Sequence, residues 1–313
     1  MASGERFSGY PAKFGYATGQ VMNLTHLESE SIQANNTITP MRPPGMIDPD
    51  THVLPRAKPM INMRTPDLLT ILSNLSFTKG KCFDENSQWY AQERDNCGEF
   101  LAANVATHSM VQSNKGFMFI DTITAEQESD QPAMVALIFV PLVPIGSSAT
   151  PLTKFGATAI AAATPAFVSA YFLGPVYKDG VEIPGVSRVS LTPRINFQGA
   201  PHSPGAFDNL GSIITREAEF TFSAAKTDEF DATQITGDPV GSTYKFYLQR
   251  ADPTNNLGDG RIAKANNSHI MIGCSAGYVE ERTRNHEGPG DKTSEIVVRP
   301  AGEPVFAINV PIP

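Results

Sequence analysis

Asp252, Asn255, Asn256 and Asp259 fall within one nine-residue run, Asp252-Pro-Thr-Asn-Asn-Leu-Gly-Asp-Gly260. Hard oxygen donors at that density suit Ca²⁺, which takes roughly six to eight oxygen ligands. The spacing is not that of an EF-hand, and Asn, Asp and Gly are also what the left-handed positions of a long β-hairpin require. A calcium loop and a plain hairpin turn both fit these residues, and no other cofactor is expected. The six histidines, His26, His52, His108, His202, His269 and His286, are dispersed, with no H-x-x-x-H or H-x-H pair that would place two imidazoles on one metal. His269, next to Ser268 at a strand position, reads as a surface or interface imidazole. Ser275 in Gly273-Cys-Ser-Ala-Gly277 has the G-x-S-x-G spacing of a nucleophile elbow, but no helical pattern follows it, and it reads as a tight turn at a strand end. No phosphate loop and no dinucleotide fingerprint follows a strand. Two carboxylates on facing strands would suit glycoside hydrolysis, but nothing in the sequence selects a pair. Trp89 is the only tryptophan, and core packing is its default role. No catalytic residue emerges, and the chain is expected not to be an enzyme.

Three cysteines, Cys82, Cys97 and Cys274, form no C-x-x-C pair and suit reduced thiols better than a disulfide framework. The start, Met-Ala-Ser-Gly-Glu-Arg-Phe, has no secretory pattern, so folding in the cytoplasm is expected. A net charge of −8 argues against strong direct binding to nucleic acid or an anionic membrane. The apolar stretches 133–145 and 155–177 are interrupted by prolines and polar residues, so they read as protein interior and no membrane span is expected.

The residues that would position any site sit in a chain of 313 residues, long enough to bury a core without staples. Its 25 glycines and 25 prolines point to many turns, hence to β-structure. Charged residues make up only 18 %, which leaves much surface suited to cover by neighbours. Residues 1–64, rich in proline and dotted with single apolar residues, read as an extended N-terminal arm laid on another surface. Thr65-Pro66-Asp67 reads as a helix start, giving a short helix near 66–77. A second helix is expected near 87–106, with Tyr90, Arg94, Cys97 and Leu101 on one side. From Gly116 the apolar period drops to 2. Phe220, Phe222 and Ala224 alternate with polar neighbours, as do Tyr244, Phe246 and Leu248, and then Ile270, Ile272 and Cys274. Met134–Val140 is apolar on both faces and reads as a central, doubly covered strand. No repeat of 20 to 50 residues is present, so propellers and solenoids are set aside. The expectation is a mainly β chain: residues 65–313 form one antiparallel β-sandwich, jelly-roll-like, with short helices.

An extended arm, about eight antiparallel strands and connections carrying short helices make the chain similar to viral coat proteins of the jelly-roll kind. The resemblance implies a self-assembling structural subunit of a virus particle, made in the host cytoplasm, whose partners are copies of itself and other virion proteins. The arm is nearly neutral, unlike the Arg-rich arms of coats that wrap RNA. A shorter resemblance runs to phage tail-tube proteins, carried by Tyr177-Lys-Asp-Gly-Val-Glu-Ile-Pro-Gly-Val-Ser-Arg-Val-Ser-Leu191 and by the hairpin expected over 277–298. A β-sandwich that binds or cleaves carbohydrate is the alternative of another class.

Overall fold

The alternating segments fold as the period-2 pattern dictates. The computed structural model describes residues 11–41, 51–127, 131–161, 169–200, 206–224, 241–252, 260–287 and 291–313, apart from 18, 78, 146 and 148. The chain is mainly β, with antiparallel sheets in a sandwich-like arrangement and, among the described residues, one α-helix, Leu68–Asn74.

The strand registers show one sandwich built twice. In the first half, a sheet runs in the order Thr153–Thr158, His108–Ser113, Ser87–Ala91, Ala12–Tyr16, Gln20–Leu24. Facing it are Gly116–Glu126, Met134–Pro141, Met60–Thr65 and Ser29–Gln33, paired in that order. The second half repeats both rows. Val305–Val310, His269–Glu287, Ser242–Arg250, Tyr171–Lys178 and Val181–Ile183 match the first. The distal part of His269–Glu287, then Asp291–Pro300, Glu219–Ala224 and Val186–Thr192, match the second. The correspondence holds residue by residue. Trp89↔Val111 and Tyr90↔Met110 recur as Phe246↔Ile272 and Tyr247↔Met271. Ile61 opposite Phe139 recurs as Phe220 opposite Val298. Even the rare positive-φ residues match: Asn35 (44°) with Arg194 (47°) before a hairpin, and Ala157 (54°) with Asn309 (57°) at the end of an edge strand. In the first unit the chain breaks at Asn114-Lys115, between two strands. In the second, the same two strands run on as one, His269–Glu287, which fuses that unit's two layers into a single curled sheet.

Each unit buries the inward residues of its two layers, and the two interiors form one continuous core. In the first, Phe14 and Trp89 meet Phe139 with ring centroids 6.0 and 4.9 Å away. Trp89 also donates from Nε1 to Met63 Sδ at 3.1 Å. In the second, Phe220 and Phe222 face Phe246 and Tyr244. The helix closes one end of the first core with Leu68, Ile71 and Leu72.

Three expectations are corrected. The described part of residues 1–64 is not an extended arm: Ala12–Tyr16, Gln20–Leu24, Ser29–Gln33 and Met60–Thr65 are integral strands of the first unit, and Phe14, Met22 and Leu24 lie in its core. Phe14, Met22, Leu24, Ile61 and Met63 of that segment are core-facing strand positions. Residues 87–106 are not helical. Ser87–Ala91 is a central strand held between two partners, and the following loop turns on Asp95, whose Oδ1 accepts from Cys97 N (2.8 Å) and Glu99 N (2.9 Å), with Gly98 at φ 81°. Pairing on both sides overrides a weak helical period. The helix near 66–77 is present but begins later. Asp67 caps it by accepting from Thr70 N, while Thr65 stays in a strand and donates to His26 O.

Candidate assembly interface

The two units meet at a seam formed by ordinary strand addition. Gly116–Glu126 of the first unit takes Val186–Thr192 of the second on its free edge, with Ile123↔Leu191, Thr124↔Ser190, Ala125↔Val189 and Glu126↔Arg188 opposed. Gln127 N–H extends the ladder to Ser187 O at 2.8 Å. Ile123, Ala125, Val189 and Leu191 are buried, so apolar burial accompanies the backbone bonds. The first strand carries a bulge between Ile120 and Thr122. Beside it Thr122 Oγ1 donates to Leu191 O at 3.2 Å and lies 3.3 Å from Ser190 Oγ. Bulges re-aim side chains in this way. Arg188 and Glu126 pair at 3.2 Å on the solvent rim, where an ion pair contributes little.

A second layer covers the seam. The hairpin Ile195–Ala200/Leu210–Arg216 stands apart from both sheets and lies over the outer face of Gly116–Glu126. Phe197 stacks on Phe117 at 4.9 Å and on Phe119 at 6.2 Å. Val143 N donates to Asp208 O at 3.0 Å. Gly211 is required here, because a Cβ would come 1.9 Å from Phe197 Cζ. The matching hairpin of the first unit, Asn36–Met41/Thr51–Ala57, is tied to the second at its base. Arg56 Nη2 reaches the buried Asp208 carboxylate at 2.9 Å and Gly199 O at 2.7 Å, and Ala57 N donates to Ala206 O at 2.9 Å.

The residues considered for chemistry are not brought together. Asp252 N donates to Gly260 O at 2.8 Å, closing the base of its loop, while Asn255, Asn256 and Asp259 lie outside the described residues. Among the described residues no group of three or more His, Cys, Asp or Glu is placed to hold a metal, and no helix is long and apolar enough to cross a membrane. His269 is corrected from surface to interior: it is fully buried, accepts from Arg250 N at Nδ1 (3.2 Å) and donates from Nε2 to Ala263 O (3.0 Å). His108 holds the equivalent loop of the first unit in the same manner, a match that the spacing Ala-x₅-His at 102–108 and 263–269 foreshadows. Ser275 lies within a strand rather than at its end, because that strand runs through from His269 to Glu287. Burial pushes the thiol of Cys274 up, away from nucleophilic character. Arg299 bridges Glu280 at 2.5 Å and Glu219 at 2.9 Å, and Arg194 also pairs with Glu219; this open groove satisfies its own charges. Trp89 is inside the core, so the only indole offers no platform to a sugar.

Comparison with known proteins adds no relative: no protein-family model matches the chain, and no curated protein matches it.

Proposed function

We propose that the chain is a structural, non-enzymatic subunit that assembles with copies of itself, as the coat protein of a virus particle. The observation that carries this reading is the seam itself. The chain consists of two copies of one sandwich unit, and they dock unit on unit by an edge-strand ladder under a hairpin cover. A protein whose interior already uses unit-to-unit docking is suited to continue it between chains. The sandwich architecture and the sparse charge support the coat reading in particular. The tail-tube reading draws on the tight hairpin Tyr171–Lys178/Val181–Ile183, turned at Asp179-Gly180, and on the long hairpin His269–Glu287/Asp291–Pro300. Negative-stain microscopy of the purified chain tests both. Closed shells support the coat, stacked rings or tubes the tail-tube protein. Single particles of one chain's size at every concentration overturn both, and turnover in a reducing-sugar assay overturns the non-enzymatic reading.

A further inference from the structure

Both halves of the internal seam recur elsewhere in the chain, with no described strand paired to their outer edges. Ser29–Gln33 is the first unit's counterpart of Val186–Thr192: Ile32↔Ile61, Ser31↔Asn62 and Glu30↔Met63 repeat Leu191↔Phe220, Ser190↔Thr221 and Val189↔Phe222. Residues 284–287 are the second unit's counterpart of 123–126: Arg284↔Ser294 and Asn285↔Thr293 repeat Ile123↔Val135 and Thr124↔Met134. Among the described residues, no strand pairs with the outer edge of either segment. The exposures follow from that. Leu191, inside the seam, is 0 % exposed; Ile32, its counterpart on the bare edge, is 44 % exposed. Phe117 lies under Phe197, whereas its counterpart Tyr278 is uncovered at 41 %. The polar pair beside the seam also recurs in kind: Thr122 and Ser190 have Thr283 and Ser31 at the matching positions.

We propose that a second copy of this chain completes each half-seam. Ser29–Gln33 of one copy adds antiparallel to residues 284–287 of the next, with Ile32 opposite Arg284, Ser31 opposite Asn285, Glu30 opposite His286 and Ser29 opposite Glu287. The Asn36–Met41/Thr51–Ala57 hairpin of the first copy then covers Tyr278 of its neighbour, as Phe197 covers Phe117 within one chain. The contact is head-to-tail, using different surfaces on the two partners, so repetition gives a ring or a helical filament. Each chain contributes two units, and a closed ring holds an even number of them. Where the internal seam opposes Ala125 and Val189, the seam between chains opposes His286 and Glu30, so it is the more polar and the more readily opened of the two. This inference rests on the self-assembly reading but not on the assembly being viral.

Disulfide trapping tests it. In a chain with Cys82→Ser and Cys97→Ser, one preparation carries Ser31→Cys and another Asn285→Cys, and the two are mixed and oxidised. Directly opposed residues of an antiparallel pair have Cα atoms roughly 4.5–5.5 Å apart, within disulfide reach. The mixture is expected to yield covalent dimer about tenfold above either preparation alone, and about tenfold above a mixture of Ser31→Cys with Glu287→Cys, which is two residues out of register. Light scattering before oxidation reports assembly independently of the cross-link. Assembly without cross-linking at Ser31 and Asn285, with equal cross-linking out of register, or with cross-linking of Ser31→Cys alone overturns the inference and leaves the assembly reading standing. A monomer in every preparation overturns both.

Discussion

His108 and His269 provide the sharpest test of the duplication at the level of energetics. Each ring closes one loop at the same place in its unit: His108 accepts from Glu93 N (3.0 Å) and contacts Ala102 O (2.9 Å), and His269 does the same with Arg250 N (3.2 Å) and Ala263 O (3.0 Å). A backbone N–H can only donate and a carbonyl only accept, so both rings carry their proton on Nε2. The loops they close also match, with Val105 N on Ala102 O and Asn266 N on Ala263 O. Both rings are fully buried. Replacement by Ala leaves one backbone donor without a partner, at about 1–3 kcal/mol, and takes one of two hydrogen bonds from a carbonyl that keeps its loop N–H, at about 0.5–1.5 kcal/mol, so His108→Ala and His269→Ala should each lower the unfolding free energy by about 1.5–4.5 kcal/mol. The two losses should agree within about 1 kcal/mol, because the environments are the same. Urea denaturation followed by tryptophan fluorescence and far-ultraviolet circular dichroism measures both. A loss below about 0.5 kcal/mol for either variant, the range of an ordinary surface change, would refute the assignment of these imidazoles as loop clamps.

Further outcomes follow from the seam and its surroundings. Burial lifts the Glu30 carboxyl to about 7 from 4.5, so between those values the folded chain binds the extra proton and stability falls as pH rises through that window. Glu30 is only partly buried and shares an open groove with Lys154, so the change should be about 1–2 kcal/mol; Glu30→Gln should flatten the profile in a monomeric preparation. Gly211→Val drives a side chain into Phe197 and should cost about 1–3 kcal/mol, with increased hydrogen exchange across Leu210–Arg216; unchanged exchange there would count against the hairpin cover. Thr122→Val removes the donor to Leu191 O and should destabilise by about 1 kcal/mol, which Thr122→Ser should largely restore.

The strands of the second unit were legible because alternation survives in them. Phe220, Phe222 and Ala224 are buried, as are Tyr244, Phe246, Leu248, Ile270, Ile272 and Cys274, and Met134–Pro141 is covered on both faces as its unbroken apolar run implies. The strands of the first 64 residues were not legible, because Ala12–Tyr16, Gln20–Leu24 and Ser29–Gln33 are only five residues each, too short for alternation to stand out, and the partners that bury them arrive from Ser87–Ala91 and Met134–Pro141. The duplication was hidden for a related reason. Matching core positions keep apolar character but not identity, as in Ile61 with Phe220, Met63 with Phe222 and Leu137 with Ile296, and a packed core tolerates such exchange when volume is conserved overall. Of the seam, neither half carries a motif, since a strand edge is recognised by backbone groups that every residue has. The clearest tie between the two units in the sequence is the repeated Ala-x₅-His-x-Met at 102–110 and 263–271.

As proposed, this chain is a two-unit segment of a larger array. Its mass in solution, followed by sedimentation velocity across a hundredfold concentration range and beside an Ile32→Asp variant, tests that most directly. Integer multiples of the single-chain mass that grow with concentration are expected, with a shift toward the single chain when the bare edge carries a charge. A lone, concentration-independent single-chain species for the unaltered protein would contradict it.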